Sequence, residues 1–345
     1  MSLLQLHGIS KKYPQTKQFA VKDIHMDIEE GSIQAIVGEN GSGKTTLLKL
    51  IAGLEHPDKG NIVFSGQTIV NGKSSVPANQ REVGVIYQEY ALFPQMTLLE
   101  NVREALHREP RNARQIAMDS LALAGLEDSF NAYPHQLSSG QRQRAALARA
   151  LASRPKLLLL DDPFRSLDTR FKNEISEDIR DIVKSTGITA IVASHHAKDA
   201  LSLADNIAIL HKGTLQQEGT PMEIYKNPAN AYVANFFGKR NELLATPTED
   251  GFYAGFGFIP HPESASFTEK VKILFRSEDA KIKKNAEQPL SGIVTRILFY
   301  GDHQIIKLED DEGMQISIKA APGRNFEMGT RMFFTIDKFE IEAAF

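Results

Sequence analysis

The sequence predicts an α/β domain over residues 1–238, a parallel sheet with a helical subdomain set into it at about 97–153, followed by a small all-β domain of barrel type over 239–345. Three observations carry this. The apolar run Ile33-Gln-Ala-Ile-Val37 ends in a glycine-rich loop, after which Leu47, Leu48, Leu50 and Ile51 recur at helical spacing until Gly53. Strand signals return at Leu157–Leu160, Thr189–Ser194 and Ile207–Leu210 with helical stretches between the first two pairs, the order of a parallel sheet. After Phe237-Gly-Lys239 the chain changes to short β-like runs broken by Gly, Pro and Asp.

In chain order, Leu4, Leu6 and Ile9, then Ile24, Met26 and Ile28, alternate as half-buried strands do. From Thr97 the strong helix formers dominate, above all in Gln141-Arg-Gln-Arg-Ala-Ala-Leu-Ala-Arg-Ala-Leu151. The tail runs are Val271–Phe275, Gly292–Leu298, Gln304–Leu308, Gln315–Ile318 and Met332–Ile336.

Composition narrows the function. Lys plus Arg total 40 against 43 acidic residues, a formal net charge of -3, so nothing global argues for nucleic acid. With no cysteine, disulfides, thiolate metal sites and a cysteine nucleophile are excluded, and the cytoplasm is the expected compartment. No run of about 18 apolar residues occurs, so a membrane role must pass through partners.

The loop Gly38, Glu39, Asn40, Gly41, Ser42, Gly43, Lys44, Thr45, Thr46 fits the P-loop pattern, between the strand and the helix that the pattern requires. Glycines let backbone N–H groups approach phosphates and the helix N-terminus adds its dipole. Lys44 is placed to neutralise terminal phosphates and Thr45 to offer a hydroxyl to Mg²⁺. Kinases, GTPases and many ATPases share this loop. The strand Leu157–Leu160 then delivers Asp161, the second Mg²⁺ contact a P-loop enzyme needs, and Asp162, which faces the attacking water; a solvated acidic turn would look the same from these residues alone.

Leu137-Ser-Ser-Gly-Gln-Arg-Gln-Arg144 narrows the choice, because it resembles the signature of ABC ATPases, with Ser139 in place of the first of two glycines. The resemblance implies that Ser138, Ser139, Gly140 and Gln141 grip the γ-phosphate of an ATP held by the P-loop of a second copy, so that a head-to-tail homodimer is implied. It further implies that Tyr13 stacks on adenine, that Gln88 reaches Mg²⁺ and water, that His195 bonds the γ-phosphate and that Asp168 works across the dimer. Ala91-Leu-Phe-Pro94 is similar to the groove that receives a coupling helix.

The chain departs from the family's pattern in places. Asp161-Asp162-Pro163 stands where the family has Asp-Glu-Pro, Arg165-Ser166-Leu167-Asp168 where it has Ser-Ala-Leu-Asp, and His195-His196 where it has His-Asp. Asp162 is shorter than glutamate by a methylene, about 1.5 Å, and a misplacement near 1 Å can cost on the order of 10²-fold in rate. Ser139 would disturb phosphate binding only if its position demands a positive φ.

Gly219-Thr-Pro-Met-Glu-Ile-Tyr-Lys-Asn-Pro228 and Phe275-Arg-Ser-Glu-Asp279 resemble the polyamine, sugar, sulfate and ferric-iron importer group, whose tail is an OB-like regulatory domain. That resemblance implies ATP and Mg²⁺ as cofactors and a place on the cytoplasmic face of the membrane. The implied partners are two permease subunits and, through them, an external binding protein. The short tail leans towards the ferric-iron branch. An exporter ATPase, or a soluble switch protein driven by ATP-dependent dimerisation, are the competing readings; the OB-like tail disfavours the first, and the lack of a second ATPase domain or coiled-coil insert disfavours the second.

Overall fold

The computed structural model describes all residues except 73, 88–90, 107–110, 166–168, 262–263, 284–289 and 345. The chain divides into two compact units, Met1–Phe237 and Gly238–Phe345.

The first unit begins with β1 (Ser2–Lys11), β2 (Val21–Glu29), β3 (Ile33–Val37), α1 (Lys44–Ala52), β4 (Lys59–Phe64), β5 (Gln67–Asn71), β6 (Ser74–Ser75) and β7 (Val83–Ile86). A helical segment follows, α2 (Leu98–Glu104), α3 (Ala113–Leu123) and α4 (Ser139–Ala152). The unit ends with β8 (Leu157–Asp161), α5 (Thr169–Thr186), β9 (Thr189–Ser194), α6 (Ala197–Leu203), β10 (Asn206–His211), β11 (Thr214–Gly219), α7 (Pro221–Lys226) and α8 (Ala231–Phe236).

Its main sheet has the order β11-β10-β3-β9-β8-β7, parallel throughout except for β11 at one edge. Both faces of β3 and β9 are covered, so every residue of these two strands is buried, which is why they read as mostly apolar runs without alternation. Parallel register aligns Val37 with Ser194 and Asp161 with Ala193. The chain segments that follow β3, β8 and β9 therefore emerge at one edge of the sheet. A second sheet, β2-β1-β4-β5-β6, covers one side through Leu4, Leu6, Ile24 and Ile62.

Helix α4 serves two cores because its apolar residues lie on two faces. Ala145, Ala148 and Ala152 pack with Leu98, Val102 and Leu121 of the helical segment, while Ala146, Leu147 and Leu151 pack beneath the main sheet. Arg81 fixes the far end of α1. Its guanidinium donates to the Leu50 and Ile51 carbonyls at 2.9 and 2.6 Å and to the Val76 carbonyl at 2.9 Å, satisfying acceptors that a helix C-terminus leaves open.

One ion cluster makes stability sensitive to acid. Asp205 Oδ2 accepts from the Ile33 N–H at 2.9 Å and from Lys184 Nζ at 2.7 Å, and Oδ1 accepts from Arg180 at 3.2 Å. Burial alone would push this carboxyl up, but the Lys184 hydrogen bond, the Ile33 N–H and the two cations outweigh it and hold it below the usual range. A depressed carboxylate contributes stability above its unfolded pKa, about 3.9, and loses it as pH falls through the lower folded value. The stability difference between wild type and Asp205→Asn, measured by urea unfolding, is expected to be constant above about pH 5 and to shrink below about pH 4.

The second unit is all β: β12 (Asn241–Pro247), β13 (Gly251–Ala254), β14 (Gly257–Pro260), β15 (Val271–Phe275), β16 (Ala280–Lys283), β17 (Leu290–Phe299), β18 (Gln304–Glu309), β19 (Gln315–Ala320), β20 (Arg331–Ile336) and β21 (Glu340–Ala343). These form two five-stranded antiparallel sheets, β14-β13-β12-β15-β21 and β16-β20-β17-β18-β19, around one core that includes Leu243, Phe252, Ile273, Ile306 and Phe334. Asn241 ties the sheets together, donating to the Ser317 carbonyl at 2.8 Å and accepting from its N–H at 2.7 Å.

Candidate functional site

The loop after β3 is built around two close approaches. A side chain at Gly38 would bring its Cβ within 2.2 Å of the Leu210 carbonyl oxygen, and one at Gly43, where φ is 108°, within 2.3 Å of the Ala20 carbonyl oxygen. Only glycine fits either position. Lys44 opens α1 and folds back over the loop, its Nζ donating to the Gly38 carbonyl at 2.8 Å and the Glu39 carbonyl at 3.0 Å. Burial lowers the Lys44 ammonium from its ordinary value, against the opposing pull of Asp162 and Asp161. Ser42 is buried beneath the loop, while Glu39, Asn40, Gly41 and Thr45 are exposed.

Thr45 Oγ1 donates to Asp161 Oδ1 at 3.1 Å. Burial pushes the Asp161 carboxyl up and Asp162 adds to this, whereas the Thr45 hydroxyl, Lys44 and Lys49 pull it down. A hydroxyl and a carboxylate side by side are hard oxygen donors, which suits Mg²⁺; such an ion usually keeps waters and phosphate oxygens as its other ligands, so few protein donors are needed. Among the described residues no cluster of three or more His, Asp or Glu could enclose a metal by itself.

Asp162 sits one residue beyond the strand with φ 49°, a left-handed conformation that aspartate tolerates better than most residues. Its Oδ1 accepts from His195, at 2.8 Å from the ring Nδ1 and 3.2 Å from the backbone N–H. The pair is well sheltered, with 12% and 23% of the two side chains exposed. The tight turn after β8 and the end of β9 thus present a carboxylate and an imidazole as one unit.

A cavity of about 470 Å³ opens over this edge. Asn40, Gly41, Gly43, Lys44, Thr45, Thr46 and Asp162 line it, together with Tyr13 from the turn after β1. Lys11 Nζ lies 5.8 Å from the Tyr13 ring centroid. Phe19 and Arg165 also line the cavity; nothing in the sequence marks Phe19, and Arg165 stands out there only as a departure from the family pattern, with no role at the site assigned to it.

The segment Leu137–Gln141 contributes nothing to that cavity. Ser138 is the N-cap of α4, its hydroxyl accepting from the Gln141 N–H while Gln141 Oε1 accepts from the Ser138 N–H, a complete capping box. Ser139 is the first helical residue and has no positive φ, so its side chain needs no glycine-like backbone. Gly140 is buried, and an added Cβ would meet Phe171 at an ordinary 3.8 Å. Gln88 and Asp168 lie outside the described residues.

Comparison with known proteins points in one direction. A family model described as ABC transporter matches residues 21–165, and one described as TOBE domain matches residues 273–338. The spermidine/putrescine import ATP-binding protein PotA of Vibrio vulnificus is 34% identical over 92% of this chain and 86% of its own length. The Fe(3+) ions import ATP-binding protein FbpC of Pseudomonas fluorescens is 39% identical over 81% and 78% respectively. Among solved structures, cbiO1 from Clostridium perfringens, part of the ABC transporter complex cbiONQ, superposes with a TM-score of 0.60 at 28% identity, covering 65% of this chain and 90% of that one. The ATP-binding cassette MJ0796, in a dimeric post-hydrolysis state with ADP and Pi, gives a TM-score of 0.56 at 29% identity, covering 63% and 98%. No helix among the described residues is long and apolar enough to cross a membrane.

Proposed function

The chain belongs to the ABC transporter family, among import ATP-binding subunits that carry a TOBE domain, and on that premise we propose that two copies of it hydrolyse ATP between them to drive uptake of a small solute through two permease subunits. The observation that carries the dimer is the one-sided cavity: it has a phosphate loop, a carboxylate and an aromatic wall, while Ser138 at the head of α4 lies elsewhere. One chain supplies half of a nucleotide site and a second copy supplies the other half.

In this arrangement residues Gly38–Thr46 cradle the phosphates and Tyr13 stacks on adenine. Thr45 and Asp161, with Gln88, hold Mg²⁺, which neutralises the phosphate charge. Asp162 polarises the attacking water and His195 donates to the terminal phosphate. Across the interface, the Ser138–Gln141 segment faces that same phosphate from the other copy and Asp168 joins the two halves. The complex lies on the cytoplasmic face of the membrane, an external binding protein delivers the cargo, and nucleic acid has no part.

The cargo we favour is ferric iron. Relatives named for it reach higher identity, 39% against 34%, although the polyamine ones span more of the chain, 92% against 81%. Uptake of radiolabelled ferric iron and of spermidine by cells lacking this gene decides between them. The dimer is tested by light scattering on Asp162→Asn, which should bind ATP without consuming it. Mg²⁺-ATP is expected to double the 38.3 kDa mass, ADP to leave it single, and Ser138→Glu to prevent the doubling. A mass that ignores ATP would sink the dimer, and isolation of the chain without membrane subunits would sink the import role.

A further inference from the structure

Arg165 stands where the family writes serine, and it is a wall of the nucleotide cavity. Three of the residues lining that cavity carry charge, Lys44, Asp162 and Arg165. Lys44 Nζ is engaged by the Gly38 and Glu39 carbonyls at 2.8 and 3.0 Å, and Asp162 Oδ1 lies 2.8 Å from His195 Nδ1. The Arg165 guanidinium is exposed and makes no hydrogen bond or ion pair among the described residues. It is the charged group at this wall that is left for a ligand.

The turn that carries Arg165 is pinned on both sides. The Asp162 N–H donates to the Ala193 carbonyl at 2.9 Å, the Arg165 N–H donates back to the Asp162 carbonyl at 3.2 Å, and between them Phe164 is buried in the core beneath the main sheet. A turn closed in this way keeps its first and fourth Cα atoms within about 7 Å, so Arg165 starts within a side chain's length of the carboxylate at the strand end. The local balance of charge calls for it. Lys44 faces two carboxylates, Asp162 and Asp161, and one cation against two carboxylates repels an anion on balance. Arg165 brings the two signs level before Mg²⁺ is counted, and its planar fork of N–H donors matches two oxygens of one phosphate group.

We propose that Arg165 binds the terminal phosphate of ATP from the chain's own side of the cavity, a ligand to the nucleotide beyond those of the phosphate loop. This rests on the reading of the cavity as an ATP site. ADP lacks the phosphate that Arg165 reaches, so the arginine favours the triphosphate over the diphosphate before any second copy arrives. A serine at this post is too short and carries no charge, so the preference belongs to this chain's own residue.

The test is the affinity of the full chain for ATP and for ADP, by competition against a fluorescent nucleotide, at a dilution where light scattering gives the single 38.3 kDa mass. Arg165→Ala is expected to weaken ATP about tenfold and to leave ADP within about twofold, a split that a merely structural role would not produce. Arg165→Lys keeps the charge but not the fork, and is expected to recover about half of that loss on a logarithmic scale. Raising the salt should erode the preference for ATP in wild type and barely change it in Arg165→Ala. ATP affinity of Arg165→Ala within about twofold of wild type overturns the proposal, as does an equal loss for ADP, which would move the contact inward from the terminal phosphate. If affinity holds but ATP no longer doubles the mass, the arginine serves the second copy and the proposal falls as well. Wild-type protein that binds neither nucleotide would overturn the parent reading instead, so the two failures are distinguishable.

Discussion

Lys44→Ala is expected to reduce kcat/KM for ATP by on the order of 10³-fold or more, a loss of roughly 4 kcal/mol of transition-state stabilisation. The ammonium is buried in the loop and held at its carbonyls, so it is kept close to where a terminal phosphate would lie, in surroundings that weaken charge interactions less than water does. Lys44→Arg is not expected to rescue it, because the planar guanidinium fork cannot reproduce the single-point contact that the ammonium makes with the Gly38 and Glu39 carbonyls. Steady-state phosphate release, with fluorescent-nucleotide binding and circular dichroism as controls, checks the effect. Retention of more than about a tenth of wild-type kcat/KM would remove Lys44 from the phosphate-binding assignment.

The second large effect concerns Asp162. Asp162→Asn keeps size and hydrogen bonding towards His195 but cannot accept a proton from water, and is expected to cost about 10² to 10³ in kcat with little change in ATP affinity. Asp162→Glu moves the carboxylate about 1.5 Å further out and is expected to raise kcat on the order of tenfold if that brings it nearer to the water. The longer residue has its own cost, about 1 kcal/mol of stability, because φ at this position is 49° and glutamate lacks the local hydrogen bonding that eases aspartate into that region. Turnover and thermal unfolding measured on the same preparations separate the two consequences. If Asp162→Asn turns over as fast as wild type, the base lies elsewhere. If Asp162→Glu is slower than wild type, the aspartate is already well placed and the contact with His195 is the reason.

Much of the fold is legible in the sequence because its strongest signals are local. The runs at Leu157–Leu160 and Thr189–Ser194 fall within β8 and β9, since strands covered on both faces are largely apolar and do not alternate. Two of the strands that escape notice, β16 and β21, read Ala-Lys-Ile-Lys and Glu-Ile-Glu-Ala and lie at sheet edges, where charged side chains are a protection against stray pairing and dilute the apolar pattern. β12 alternates in burial, but its buried positions are Asn241, Leu243 and Ala245, too mixed in character to announce a strand.

The sequence by itself determined the glycine-rich loop, the carboxylate pair at the end of β8 and the order of the motifs, because each depends on residues within one short segment whose spacing is its geometry. Only the tertiary structure decided what those segments do to one another. Asp162 and His195, 33 positions apart, meet because parallel pairing sets Asp161 beside Ala193. Phe19 and Arg165 join the cavity wall because their loops bring them to the strand ends, and the backbone at Ser139 is ordinary helix that makes no demand for glycine. Contacts across a sheet edge follow from register and from the direction of each turn, and neither is written in the residues that make the contact.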